Sequence, residues 1–105
     1  MPQFDLYRNK NPASRTRFPL LLDVQSDLLE PLATRVVVPL TPAAPARARA
    51  MRTLTPVLKF DDKDYLMLTP QMAGIPARDL GPIAGNLASD RSTIVAAVDF
   101  LLTGV

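Results

Sequence analysis

Proline is the feature that most constrains how this chain can fold. Eleven of the 105 residues are proline, about twice the usual frequency of roughly 5%, whereas only four are glycine. Proline lacks a backbone N–H and fixes φ, so it interrupts helices and central strands. A long helix therefore fits only after Pro82, and the rest of the chain is expected to form short elements joined by stiff loops.

Three residue types are absent from the sequence: Cys, His and Trp. Without them there are no disulfides, cysteine nucleophiles or imidazole bases, and no structural zinc site. Any catalysis would have to use Asp, Glu, Lys, Arg, Tyr, Ser or Thr, and we expect neither a metal nor a cofactor. With 48% apolar and 21% charged residues, residues 1–105 are expected to fold as one domain.

No apolar run approaches the roughly 20 residues that a membrane span requires. The first residues, Met-Pro-Gln-Phe-Asp, have neither the basic start nor the hydrophobic region of a secretory signal. We therefore expect a cytoplasmic location and no membrane partner.

Positive charge is concentrated in the first half of the chain. Residues 1–56 carry eight Lys or Arg against four acids, whereas residues 57–105 carry four against six. Residues 8–17 hold four of these basic residues and residues 41–53 hold three, with no acid in either segment. Two basic, flexible loops would attract a phosphate backbone or an acidic peptide. The alternative is that they are simply solvated loops.

The first half of the chain is predicted to form short strands. Residues 3–8 alternate apolar and polar side chains, which is typical of a strand with one buried face, and residues 19–24 form an apolar run of strand length. Residues 35–40 are rich in β-branched side chains. Pro39 lies within this strand, so its nitrogen is expected at an edge or a bulge.

Two further segments carry local signals. Residues 55–60 and 64–68 flank the polar residues 61–63, which predicts a β-hairpin with a short loop. Leu28 and Leu29 stand together on a short polar loop, so they either insert into the core or are exposed for a partner.

The end of the chain is predicted to be a helix of about 13 residues, starting after Ser89 or Asp90 as N-cap and stopping near Gly104. Its apolar stripe, widened by Val95 and Leu102, consists of Ile94, Val98, Leu101 and Val105. Strands followed by one terminal helix indicate an antiparallel α+β domain, with a small barrel-like sheet capped by the helix.

Several segments, in order and over almost the full length, resemble one family. They are residues 3–7 (QFDLY), 22–29 (LDVQSDLL), 36–40 (VVVPL), 55–57 (TPV), 72–73 (MA), 75–76 (IP) and 104–105 (GV). Together they resemble CcdB, the toxins of plasmid and chromosomal toxin–antitoxin modules. The D-V-Q-S-D block with its two following leucines is the most specific part of the match.

The resemblance implies an SH3-like antiparallel β-barrel of the CcdB/MazF type, with a small second sheet and a C-terminal α-helix. It also implies a non-enzymatic homodimer that serves plasmid maintenance. Such toxins bind the DNA gyrase A subunit and trap the cleaved-DNA complex, without sequence-specific nucleic-acid binding of their own. A CcdA-like antitoxin with an acidic segment neutralises them.

The resemblance also assigns residues to two surfaces. The gyrase-binding residues carried over by position are Ser26, Leu28, Leu29, Asp99, Leu102, Thr103, Gly104 and Val105. The basic residues of the two loops suit the acidic antitoxin, and they are Arg8, Lys10, Arg15, Arg17, Arg47, Arg49 and Arg52.

The chain departs from the family at the end of the helix. Thr103 stands where the family carries Trp, and Asp99 stands where it carries Asn. Three functions therefore remain open: a gyrase poison, a weakened or non-toxic homologue that retains antitoxin binding, and a MazF-like endoribonuclease. A further alternative is that Leu102 and Val105 only complete the core stripe and a dimer interface.

Overall fold

A computed structural model describes residues 2–29, 32–43 and 53–104. This part of the chain contains seven strands and one α-helix, joined by loops and short 3₁₀ turns. The strands are β1 (Asp5–Arg8), β2 (Leu20–Asp23), β3 (Thr34–Pro42), β4 (Val57–Phe60), β5 (Lys63–Met67), β6 (Ala73–Pro76) and β7 (Ile83–Asn86), and the helix is α1 (Arg91–Thr103).

All strand pairs are antiparallel, and β3 is shared by two parts of a curled sheet. The first part is five-stranded, in the order β6-β3-β2-β1-β7, and β1 meets β7 with Asp5 opposite Asn86. The second part is smaller and consists of the β4–β5 hairpin joined to the end of β3. The half-barrel and its terminal helix confirm the α+β, SH3-like architecture expected from the sequence.

Pro39 lies inside β3 rather than on an edge strand. It is opposite Leu21 of β2, and its carbonyl oxygen accepts a hydrogen bond from the Leu68 N–H at 3.1 Å. The other edge of β3 is paired with β6 up to Val37 and with β5 from Leu40 onward. Pro39 is tolerated because its missing N–H falls where β3 changes partner.

The main core lies between the sheet and α1. Leu6, Leu22 and Val38 on neighbouring strands are fully buried, and the helix contributes Ile94 and Ala97. Leu102, which was predicted to widen the buried stripe, is 67% exposed, so that part of the prediction is wrong. The buried residues of the helix lie in its first two turns, whereas in its last turn Leu101 is half-buried and Leu102 and Thr103 are exposed.

The strand β1 is buried on both faces, which corrects the prediction of a single buried face. Asp5 and Tyr7 are only 4% and 6% exposed, and Tyr7 packs in a second small cluster with Val37 and Leu80. A period-two pattern does not reveal such packing, because Leu80 comes from a distant turn.

The predicted hairpin is confirmed. β4 and β5 are joined by a two-residue turn in which Asp61 and Asp62 both have positive φ, 54° and 60°. Two left-handed residues match the natural twist of a tight hairpin.

The predicted helix ends are also confirmed. Asp90 is the N-cap, although its side chain makes no capping hydrogen bond. At the other end Gly104 adopts φ 75° and its N–H donates to the Phe100 oxygen at 2.9 Å. The helix therefore stops where a residue without a Cβ allows the left-handed conformation.

Replacing Gly81 by alanine tests the close packing between β1 and the loop before β7. A Cβ atom at Gly81 would overlap the Arg8 carbonyl oxygen, which also accepts the Gly81 N–H at 3.1 Å. We expect Gly81→Ala to lower the free energy of unfolding by about 1 to 3 kcal/mol in urea denaturation. The matched control is Gly74→Ala, because nothing lies within 4 Å of its added Cβ. Equal stabilities for the two variants would contradict this packing.

Candidate partner-binding surface

The D-V-Q-S-D turn begins at a buried ion pair. Asp23 Oδ2 lies 2.7 Å from Arg35 Nε, and both side chains are 0% exposed. The second oxygen of the carboxylate, Oδ1, accepts the Gln25 N–H at 2.9 Å. One buried carboxylate therefore ties the end of β2 both to β3 and to the start of the turn.

The Gln25 side chain links the turn to β3 by two hydrogen bonds. It is almost fully buried, its Nε2 donates to the Leu29 oxygen at 3.1 Å, and its Oε1 accepts the Val36 N–H at 3.0 Å. A buried amide with both ends bonded is costly to disrupt, because displacement would leave polar groups unsatisfied. The turn is thus fixed to β3 from inside.

Ser26 and Asp27 complete the local geometry. Ser26 Oγ accepts the Leu28 N–H at 3.2 Å, and the Asp27 carboxylate accepts the Gln3 N–H. The result is a 3₁₀ turn over Asp27–Leu29 whose leucine side chains point away from the core. Leu28 is 90% exposed and Leu29 is 48% exposed, so the pair is available to a partner rather than inserted into the core.

The polar cluster beneath the turn extends to Tyr7. Its hydroxyl lies 3.4 Å from Asp5 Oδ2, and Asn86 Nδ2 donates to the other oxygen of Asp5 at 2.9 Å. Burial of the phenol, reinforced by the negative charges of Asp5 and Asp23, raises the pKa of Tyr7 to about 12. Tyr7 thus remains a neutral hydrogen-bond donor over the whole physiological range.

The end of α1 presents a second group of predicted site residues. Asp99, Leu102, Thr103 and Gly104 are all exposed. The Thr103 hydroxyl donates to the Asp99 carbonyl oxygen at 2.7 Å, so it bonds back to its own helix. Exposure of Leu102 excludes the alternative that it completes the core of the chain. Val105 lies outside the described residues.

A groove of about 250 Å³ lies between the D-V-Q-S-D segment, which contributes Val24, and α1, which contributes Asp99. It is lined by Gln3, Phe4, Val24, Arg91, Ile94, Val95, Val98 and Asp99. Gln3 lines this groove, donates from Nε2 to the Val24 oxygen at 3.1 Å, and bonds to Asp27 of the turn. The D-V-Q-S-D turn and the Asp99 side of α1 therefore share one side of the molecule. Sequence reasoning missed this role of Gln3, because a bond across 24 residues has no local signature.

The basic segment 8–17 is held in place by hydrogen bonds, so the expectation of a flexible loop is wrong here. Asn9 Nδ2 donates to Ser14 Oγ at 3.0 Å and to the Phe18 oxygen at 2.9 Å. Lys10 Nζ donates to the Arg78 carbonyl oxygen at 2.9 Å, which anchors the loop to a neighbouring turn.

The remaining predicted basic residues fall into two groups. Arg8 and Arg15 are exposed, and the Arg17 guanidinium lies 4.7 Å above the centre of the Phe18 ring. Arg47, Arg49 and Arg52 lie outside the described residues.

Arg8 also borders a cleft at the end of the sheet. This cleft has a volume of about 470 Å³ and is lined by Arg8, Pro19, Pro42, Ala43, Lys63, Asp64 and Tyr65. Arg8 and Lys63 come together because the ends of β1, β2, β3 and β5 meet there through pairing. Lys63 was not identified from the sequence, since it lies outside both basic segments.

Within residues 2–29, 32–43 and 53–104, no helix is long and apolar enough to cross a membrane. A comparison with protein-family models matches residues 3–104 to the family described as CcdB protein. The matched region includes the D-V-Q-S-D turn, the basic segment 8–17 and the whole of α1, and it confirms the resemblance noted in the sequence.

The raised pKa of Tyr7 gives a test of the buried cluster. The chain has two tyrosines, so a Tyr65→Phe variant reports Tyr7 alone in an ultraviolet absorbance titration. We expect half-ionisation near the pKa of about 12. An unfolded tyrosine ionises near pH of about 10, so between these values the unfolded state binds fewer protons and stability falls as pH rises. Tyr7→Phe should remove this component of the alkaline loss, and a Tyr7 midpoint at its ordinary value would contradict the burial.

Proposed function

Because the chain belongs to the CcdB family, we propose that it binds the DNA gyrase A subunit and traps the complex in which gyrase has cleaved DNA. Family membership makes the chain a toxin of a toxin–antitoxin module, of the gyrase-poison kind. The observation that carries the finer proposal is the rigid turn that exposes Leu28 and Leu29.

The physical support for this proposal is preorganisation. The turn is fixed by Asp23 and Gln25, so its leucines lose little conformational freedom when they bind a partner. Their burial would supply favourable apolar contact, and the exposed Leu102 adds to it on the same proposed surface. No step in this action requires a reaction on the toxin itself, so we propose a binding inhibitor rather than an enzyme.

We further propose a homodimer as the active form. A two-fold dimer would present each patch twice, and this would match the two-fold dimerisation region of the gyrase A subunit. The C-terminal end of α1 in each subunit would belong to this surface. Its residues are Asp99, Leu102, Thr103 and Gly104, and Val105 is the next residue in the chain.

The second candidate function is a homologue that keeps antitoxin binding but poisons gyrase weakly. The observation that favours it is Thr103, whose hydroxyl bonds to the Asp99 carbonyl oxygen and which offers no aromatic face. Expression without an antitoxin, in cells that carry the cognate gyrase, separates the two candidates. Growth arrest supports the poison, and normal growth supports the weakened homologue.

For the antitoxin we propose that its acidic segment binds the basic residues of the first half. Arg8 and Lys63 converge on one cleft, and Arg15 and Arg17 lie on the neighbouring ordered loop. Lys10 would have to exchange its bond to the Arg78 oxygen for a carboxylate. The proposed antitoxin-binding set also includes, on the basis of charge alone, Arg47, Arg49 and Arg52.

Replacing Leu28 by serine tests the gyrase proposal. The residue is 90% exposed, so folding should be unaffected, whereas binding to purified gyrase A subunit should weaken by about tenfold or more. The amount of cleaved DNA stabilised by gyrase from the organism that encodes the chain should fall in parallel. Ile83→Ser is the matched control, since Ile83 is 60% exposed on β7 and outside the proposed surface. Undiminished cleavage by the Leu28 variant would count against the assigned surface.

Replacing Arg8 by glutamine tests the antitoxin proposal. Loss of one exposed charge should weaken binding of the antitoxin's acidic segment by about two- to fivefold at low salt, with less effect at high salt. Isothermal titration calorimetry at two salt concentrations measures both quantities. Lys59→Gln removes an exposed positive charge outside the cleft and should have little effect. Equal losses in the two variants would point to a general charge effect and not to this site.

A further inference from the structure

We propose that Leu32 is a further contact residue for gyrase, which extends the exposed leucine pair into a three-leucine patch. Leu32 is 51% exposed, and it follows closely after Leu28 and Leu29. This inference rests on the proposed function, because it names an additional determinant of the same binding surface. Neither the D-V-Q-S-D block nor the end of α1 includes this residue.

The backbone places Leu32 beside Leu29. The Leu32 N–H donates to the Leu29 carbonyl oxygen at 3.0 Å. The same oxygen accepts the Gln25 side-chain amide at 3.1 Å. Leu32 is therefore connected to the buried part of the turn through one shared acceptor, and its position is set by the structure that sets Leu28 and Leu29.

The concentration of leucines on this surface is unusual. Six large apolar side chains are exposed in the described part of the chain: Leu28, Leu29, Leu32, Ile83, Phe100 and Leu102. Three of the six, Leu28, Leu29 and Leu32, lie within a stretch of five residues. Single exposed apolar residues are normal on a protein surface, whereas adjacent ones mark an interaction site.

The side chains of Ser26 and Asp27 are bonded within the chain, so the two leucines are the exposed apolar groups of the turn over Asp27–Leu29. The Ser26 hydroxyl accepts the Leu28 N–H, and the Asp27 carboxylate accepts the Gln3 N–H. An acidic antitoxin segment gains little from such a patch and is better matched by the cleft of Arg8 and Lys63. The occupant is therefore an apolar surface, and the patch is continuous with the proposed gyrase contact of Leu28 and Leu29.

Leu32 also accounts for binding without an aromatic side chain at the end of α1. Thr103 contributes a hydroxyl that bonds back to the helix and little apolar area. A half-exposed leucine whose backbone N–H is bonded to the turn contributes apolar area at a low entropic cost.

The test compares Leu32→Gln with the conservative Leu32→Met. Affinity for purified gyrase A subunit, measured by surface plasmon resonance, should fall by about tenfold for glutamine and by less than about threefold for methionine. Urea denaturation should give wild-type stability for both variants. Ile83→Gln, at an exposed apolar position outside the patch, should bind as the wild type does.

Two other measurements separate the possible failures. If Leu28→Ser weakens gyrase binding and Leu32→Gln does not, the inference is overturned while the proposed function stands. If the wild-type chain does not bind gyrase, the proposed function fails and this inference fails with it. If Leu32→Gln instead changes only the dimer mass in light scattering, or only antitoxin affinity, the patch belongs to that partner and the inference is wrong.

Discussion

The surface of this protein depends on a buried ion pair. Asp23 and Arg35 are fully enclosed, and removing one member of such a pair typically costs about 3 to 5 kcal/mol because the other charge remains buried. The carboxylate also receives the first N–H of the D-V-Q-S-D turn, and the Gln25 amide relays the constraint to the Leu29 carbonyl. Hydrogen bonds from these buried side chains thereby hold the exposed turn in one position. This explains how a highly exposed leucine such as Leu28 can have a defined position without packing against the protein.

Local patterns in the sequence were sufficient to predict several strands and the helix. The hairpin, the terminal helix and the strands around residues 20 and 35 each depend on neighbours within a few positions, so period and turn residues identify them. The burial of Tyr7 was not predictable in this way, because it depends on packing against Leu80, which is distant in the sequence. The place of Pro39 likewise depends on two strands, β5 and β6, that follow it in the chain.

The candidate site likewise contains some residues that the sequence identified and some relations that only the structure shows. The family resemblance selected Ser26, Leu28 and Leu29, and the structure places them on one ordered turn. It did not indicate that Gln3 bridges the turn and the groove beside α1, or that Lys63 shares a cleft with Arg8. Those relations arise from pairing between distant strands, and no spacing in the sequence encodes them. Lys10 illustrates the opposite case, since a residue chosen for its charge also anchors its own loop.

The pairing of β1 with β7 has a consequence for the order in which the toxin matures. Asp5 lies opposite Asn86, so the first strand gains its second neighbour only after 81 further residues have been synthesised. Contacts between such distant residues also slow folding. During synthesis the N-terminal strand is therefore an open edge, and the helix that covers the core is not yet present. The groove that Gln3 and Phe4 share with Arg91 and Val98 can therefore form only after α1 has been synthesised.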